Sequence, residues 1–380
     1  MGNKHIIVIG AGAFGGWTAL HHLRSGVKVT LIDSWGPGNS RASSGGDTRV
    51  MRGTYGPDLI YSQMAARALQ LWKENEKRWQ RQLYFRTGML WMAGADDSYE
   101  VAALDSLHAA GLEAERWTTT QDSKRFPQFR LDDVNWAIYE KDSGYLLARR
   151  ACESVLEAFL FEGGEYRQAE ARPGEIAGGE MKGIKLSDET TLKADAYVFA
   201  CGPWMGKAGN VFADVLGNLI QPTRQEVYFF GTPAGDTSFN QEKFPVWIDK
   251  GKHIFYGIPG NQWRGFKIGD DTRGPAFDPT TGDRTPNADG IQSARVYMAK
   301  RFPALKDAPL LEARVCQYEN SPDNNFILDT HPAANNLWLL GGGSGHGFKH
   351  GPALGEMASA AVLGKKPPPK MFALGRFTAK

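Results

Sequence analysis

The apolar residues fall along the chain in two textures. Solid runs of aliphatic and β-branched residues occur at His5–Ile9 (HIIVI), 27–33 (VKVTLID), 194–202 (ADAYVFACG) and 336–340 (NLWLL). Such runs predict strands buried on both faces. Elsewhere, apolar residues alternate with turn signals: LYFRTGMLWMA at 83–93, then EVYFF, FPVWI, HIFYGI and GFKIG between Gln221 and Gly269. That texture predicts antiparallel strands. Apolar residues at helical spacing predict amphipathic helices over about 59–78 and 149–161.

The first run leads into GAGAFGG, then a helical stretch from Trp17 to Ser25 closed by Gly26, then the second run. Strand, glycine turn, helix and strand within about 30 residues make a βαβ unit, which opens a parallel doubly wound sheet. Solid and alternating textures then take turns to the end of the chain. The predicted fold is α/β: a Rossmann-like nucleotide-binding domain interleaved with an antiparallel-sheet substrate domain. Residues 1–82, 146–219 and 321–380 are assigned to the first, and 83–145 and 220–320 to the second. The Pro-dense KKPPPK near the C-terminus reads as a tail leaving the last helix.

Composition narrows the class. With 380 residues, 42% of them hydrophobic, the chain has material for a large core. Its 44 Lys and Arg against 42 Asp and Glu argue against a nucleic-acid or polybasic membrane-surface partner. Cys152, Cys201 and Cys316 are too few and too scattered for a disulfide framework or a zinc knuckle. No stretch approaches the length of a bilayer span, and the N-terminus lacks the run and cleavage site of a signal peptide. The expected compartment is the cytoplasm. Near-zero net charge sets no strong barrier to association, so a monomer or a small homo-oligomer is expected.

Four segments carry candidate chemistry. In Gly10-x-Gly12-x-x-Gly15 the first glycine permits a tight turn. The second lets the backbone approach a pyrophosphate, and the third lets helix pack on strand. Asp33 ends the second strand, where a carboxylate can bond ribose hydroxyls and disfavours a 2′-phosphate. The late return to a glycine-rich strand end suits FAD better than NAD. In 43–56, SSGGDTRVMRGTYG, Arg49 and Arg52 would share a face if the segment turned helically, and two guanidiniums beside a cofactor suit a carboxylate. In 341–351, GGGSGHGFKHG, dense glycine turns backbone N–H groups toward a ligand, with Lys349 just behind. Cys316 lies in irregular-looking text and by itself reads as a structural thiol, with Tyr318 and Asn320 on its face if the chain is extended.

Together with Tyr256–Pro259, GFKIG and VCQY, these segments resemble the monomeric sarcosine oxidase and N-methyltryptophan oxidase family, flavin-dependent oxidases of secondary amino acids. The likeness runs nearly end to end. It implies FAD held by Gly10, Gly12, Gly15 and Asp33, with further contacts from Ser44, Thr48, Gly343, Gly345, Gly347 and Lys349, and attachment of the flavin through Cys316. It implies that Arg52 and Lys349 bind the substrate carboxylate and that Arg49 lies close to the flavin ring. Lys267 would activate O2, and Tyr256 and Tyr318 would line the substrate pocket. The implied reaction oxidises an N-substituted amino acid by hydride transfer to flavin, with O2 reduced to H2O2 and an imine product that hydrolyses. A dehydrogenase passing electrons to a quinone or protein acceptor is the alternative, and a non-catalytic nucleotide-binding regulator is a third reading.

Two departures stand out. The family often reads SHHGDTR where this chain has Ser43-Ser44-Gly45-Gly46-Asp47-Thr48-Arg49, and it has a His shortly after the lysine where this chain has Asp271. A carboxylate there predicts a substrate more polar than sarcosine, sugar-bearing or with a second amine.

Overall fold

The computed structural model describes residues 4–207, 210–251 and 253–377. Residues 1–3 and 378–380, which end the predicted nucleotide-binding segments, lie outside the described residues, as do 208, 209 and 252.

The solid apolar runs build one six-stranded sheet, in the order Ile327–His331, Ala334–Gly341, Ala196–Phe199, His5–Ile9, Lys28–Asp33, Glu165–Gln168. All neighbours are parallel except the first pair. His5–Ile9 is central, with strands on both edges, and Ile6, Ile7 and Val8 are fully buried. A strand so enclosed has no solvent face, which is why its sequence does not alternate. Helices Ala13–Arg24, Leu59–Trp79, Ala148–Phe161 and Gly351–Val362 pack with this sheet through Trp17, Trp72, Val155 and Leu354.

The alternating segments build an eight-stranded sheet, in the order Leu310–Asn320, Gln221–Phe230, Phe266–Asp270, Ile254–Ile258, Val246–Lys250, Met89–Ala93, Trp136–Glu140, Ala114–Thr118. It is antiparallel except between Val246–Lys250 and Met89–Ala93. An aromatic cluster including Phe126, Phe129, Phe244, Trp247, Phe266 and Phe302 supports it. A small antiparallel sheet of Thr48–Met51, Gly144–Leu147 and Tyr84–Arg86 is formed by segments running between the two large sheets.

Three local expectations are corrected. Residues 48–51 form a strand, so Arg49 and Arg52 share no helix face; Arg49 is in the strand and Arg52 follows its end. Pairing with the strand Gly144–Leu147 favours extension over the helical turn that their spacing allowed. The text around Cys316 is regular: Leu310–Asn320 is one long strand paired along Gln221–Phe230. The stretch after KKPPPK folds back, with Phe372 fully buried in the core of the parallel sheet.

Candidate active site

The turn after His5–Ile9 is set by glycine. Gly10 has φ +105°, and a Cβ there would lie 2.3 Å from Ala200 O. A Cβ on Gly15 would lie 1.8 Å from Gly10 O, so the helix can approach the strand only without one. The helix Ala13–Arg24 starts at Gly12 with no side-chain cap, leaving its first N–H groups for a ligand. Asp33 accepts hydrogen bonds from Ala11 N at 2.8 Å, Trp35 N at 2.9 Å and Gly36 N at 2.8 Å. Burial raises its pKa, and these three N–H groups oppose the rise.

These features border a cavity of about 700 Å³, lined among others by Gly10, Gly12, Asp33, Ser44, Gly343, Gly345 and Gly347. The uncapped helix end, side-chain-free backbone and acidic strand end fit a dinucleotide. Of the other expected cofactor residues, Cys316 and Lys349 line the neighbouring cavity, and Gly15 has the packing place its position in the motif predicts. One expected contact is placed otherwise. Thr48 is 1% exposed and lines neither this cavity nor its neighbour; its carbonyl accepts from Lys267. Gly45 shows how the chain accommodates its departure from SHHGDTR: a Cβ there would be 1.8 Å from Asn39 O, so a histidine would require a different backbone path.

A second cavity of about 640 Å³ adjoins the first, and both are lined by Ala42, Arg49, Tyr318, Gly345 and Phe348. Here Arg49, Arg52, Tyr256, Lys267, Asp271, Cys316, Tyr318 and Lys349 converge from several elements. Lys267 Nζ donates to Thr48 O at 2.9 Å, and burial, with Arg49 adding repulsion, pushes its pKa down to about 7. Lys349 Nζ donates to His346 O at 2.8 Å, and burial next to Arg52 holds its pKa well below the usual lysine value. Arg49 donates to Thr48 O at 2.9 Å and Ser43 O at 2.6 Å, and its Nη2 is 3.5 Å from Cys316 Sγ, the positive neighbour a reactive thiol needs. Arg52 donates to Thr54 O and lies over the rings of Tyr55, at 4.5 Å, and Trp91, at 5.0 Å. None of these four cations forms a salt bridge with a carboxylate of the described residues. Cys316 and Tyr318 both face this cavity, as alternate residues of one strand should; Asn320 instead bonds Gln221 O and Thr223.

Several neighbours carry no local signal in the sequence. Glu140 accepts from Gly53 N at 2.7 Å, Thr54 N at 3.0 Å and the hydroxyls of Thr54 and Ser143, fixing the backbone that carries Arg52. Glu319 accepts from Gly342 N at 2.7 Å beside the dinucleotide cavity, and burial raises its pKa to about 7. Tyr55 bonds His350 at 2.7 Å and His346 at 3.2 Å beneath Lys349. Only the place of Glu319, three residues after Cys316 in the same strand, could have pointed to it. Among the described residues no acidic, His or Cys group could hold a metal ion, and no helix is long and apolar enough to cross a membrane.

A family model described as FAD dependent oxidoreductase matches residues 5–361. Monomeric sarcosine oxidase of Arthrobacter sp. (strain TE1826) is 30% identical over 373 residues, covering 95% of this chain and 92% of the relative. N-methyl-L-tryptophan oxidase of Salmonella typhi is 28% identical over 385 residues, covering 98% and 99%. The crystal structure of L-proline dehydrogenase from P. horikoshii shares the fold with a TM-score of 0.86 at 22% identity, covering 99% of this chain and 98% of that one.

Proposed function

The chain belongs to the FAD dependent oxidoreductase family, and from that premise we propose that it is an oxidase of N-substituted amino acids. One observation carries the reading: Arg49, Arg52, Lys267 and Lys349 converge, with no salt bridge to a described carboxylate, on a cavity that shares a wall with the dinucleotide cavity. Asp47, Glu140 and Asp271 attract these cations from beyond ion-pair distance, and buried positive charge without an ion-pair partner is costly, so the cavity favours an anionic guest. The relatives named for sarcosine and N-methyl-L-tryptophan support an amino acid as that guest.

Gly10, Gly12, Asp33, Ser44 and the loop glycines Gly343, Gly345 and Gly347 would hold FAD. Bound flavin supplies the acceptor for a hydride from the carbon beside the amine nitrogen. Arg52 and Lys349 grip the substrate carboxylate; two charge-assisted bonds of about 1.5–3 kcal/mol each position a small acid. This is catalysis by orientation. Tyr256 and Tyr318 wall the pocket and exclude water. Cys316, with the Arg49 guanidinium 3.5 Å from its sulfur, is the residue proposed to attach the flavin. Lys267 holds a positive charge where O2 is reduced to an anion, with H2O2 as the product. Asp271 makes this end of the pocket receptive to hydroxyl or amine groups, so N-glycosyl amino acids belong among the candidates.

The test is an anaerobic screen of N-methylglycine, N-methyl-tryptophan and N-fructosyl-glycine for bleaching of the flavin, followed by a peroxide assay in air. Bleaching with peroxide is expected. Bleaching without peroxide would instead indicate a dehydrogenase, and a flavin that no amino acid bleaches would end the reading. Yellow colour kept in an acid precipitate is expected from attachment through Cys316.

A further inference from the structure

Asp271 and Tyr318 are hydrogen-bonded to each other inside the substrate cavity, and orientation of the carboxylate makes no use of that bond. Tyr318, from the strand Leu310–Asn320, donates its phenol hydrogen to Asp271 Oδ1. Asp271 follows the strand Phe266–Asp270 and is fixed by its own N–H, which donates to Ile254 O at 2.6 Å. Its Oδ2 makes no hydrogen bond to a described residue. The charged and titratable groups facing the pair are Arg49 and Arg52, in and just after the strand Thr48–Met51, Lys349 from the glycine-rich C-terminal segment, Tyr256 from the neighbouring strand, Cys316 two residues before Tyr318, and Asp270 next in sequence to Asp271. The pair therefore shares a chamber with the two cations assigned to the substrate carboxylate.

An N-alkyl amino acid in neutral water is a zwitterion, its ammonium titrating near the lysine value of about 10. An ammonium has no lone pair with which to form the imine bond, so a proton must leave before the hydride does. In an α-amino acid a single carbon separates nitrogen from carboxylate. A guest held by Arg52 and Lys349 therefore keeps its ammonium in the chamber that Asp271 and Tyr318 line.

We propose that Asp271 accepts the ammonium proton of the bound amino acid, with Tyr318 as the positioning residue that holds its carboxylate. An N–H bond of the ammonium breaks, an O–H bond forms on Asp271, and the electron pair stays on nitrogen; no electrons leave the pair of reactants. Two effects bring donor and acceptor together in proton affinity. Burial raises the pKa of Asp271, and the cations around the guest lower that of its ammonium. The inference rests on the amine-oxidase reading and adds a catalytic residue to it.

Anaerobic rapid mixing of the flavin-loaded enzyme with whichever of the three screened amino acids bleaches it fastest tests the idea between about pH 6 and 10. In the unaltered enzyme the bleaching rate per total substrate should be flat from the Asp271 pKa up to the loss of the Lys349 charge, which affects Asp271→Asn equally. In Asp271→Asn only the free amine reacts, so the rate should fall tenfold per pH unit, to about a thousandfold slower at pH 7, and converge with the unaltered enzyme near pH 10. Asp271→Glu should restore the flat region. Tyr318→Phe removes a bond that favours the ionised carboxylate, so the acid limb of its profile should move to higher pH. Infrared difference spectra of the dithionite-reduced holoenzyme on binding the amino acid should gain a protonated-carboxyl band that Asp271→Asn lacks. A profile for Asp271→Asn that superimposes on the unaltered one, an unmoved limb in Tyr318→Phe, or no such band overturns the proposal. An unaltered enzyme that is not bleached at any pH overturns the amine reading and this inference together.

Discussion

The two cavities share a wall and differ in what they are made of. The dinucleotide side takes its shape from backbone at two glycine-rich turns, with Gly10, Gly12, Gly343, Gly345 and Gly347 in its wall beside the acidic strand end Asp33, whose oxygens already bond neighbouring N–H groups. The substrate side is made of side-chain charge, with Arg49, Arg52, Lys267 and Lys349 brought together from distant parts of the chain. Lys267 and Thr48, bonded at 2.9 Å, are 219 residues apart in sequence. A backbone-made site is fixed by local turn chemistry and tolerates little in shape. A charge-made site tolerates shape changes but depends on each charge, because burial makes unbalanced charge expensive.

Substitutions can break that contrast, the largest effect coming from the backbone side. Gly15→Val drives side-chain atoms into Gly10 O, where even a Cβ would lie at 1.8 Å. The expected result is a chain that carries no flavin after purification, since such overpacking costs about 3 kcal/mol or more at the phosphate turn. Flavin content per chain is the measurement, and a fully yellow variant would show that the turn is not shape-limited.

Next comes Lys267→Met. A cation about 4 Å from a forming oxygen anion is worth roughly 4 kcal/mol at an effective dielectric near 20, about a thousandfold in rate. Flavin reduction should be spared and reoxidation slowed by that factor in rapid-mixing traces; normal reoxidation would remove Lys267 from the oxygen step. Its pKa is lowered to about 7, so the cation is present below that pH and lost as pH rises through it. Reoxidation in the unaltered enzyme should therefore slow above about pH 7, and in Lys267→Met it should not depend on this titration.

Arg52→Gln should raise KM about ten- to a hundredfold, the equivalent of about 1.5–3 kcal/mol, through loss of one charge-assisted bond to the carboxylate. Steady-state kinetics with the screened amino acid check this, and an unchanged KM would move the carboxylate elsewhere. The smallest effect is expected from Glu140→Gln, which keeps the shape but weakens the grip on Gly53 N and Thr54 N behind Arg52. A loss of about 1 kcal/mol predicts a severalfold rise in KM with kcat nearly unchanged. A fall in kcat alone would show that Glu140 serves something other than Arg52.

The same contrast decides what the chain reveals when read alone. The βαβ start, the buried strands and the interleaving of two sheets were legible because each rests on local periodicity and glycine placement, visible at Ile6–Val8 and at Gly10 and Gly15. Cys316 and Arg49 took their meaning from the resemblance, since nothing within either segment says that a guanidinium stands 3.5 Å from the thiol. The strand at 48–51 escaped because a spacing of three residues is compatible with a helical turn until a partner, Gly144–Leu147, selects the extended form. Glu140 and the bond between Tyr318 and Asp271 had no local signal, and Glu319 had only its place three residues after Cys316. Local sequence thus determined the fold class and the nucleotide turn, because backbone conformation depends mainly on near neighbours. Only the tertiary structure decided the chemistry of the second cavity, because electrostatic energy depends on distance in space and on burial, and chain separation sets neither.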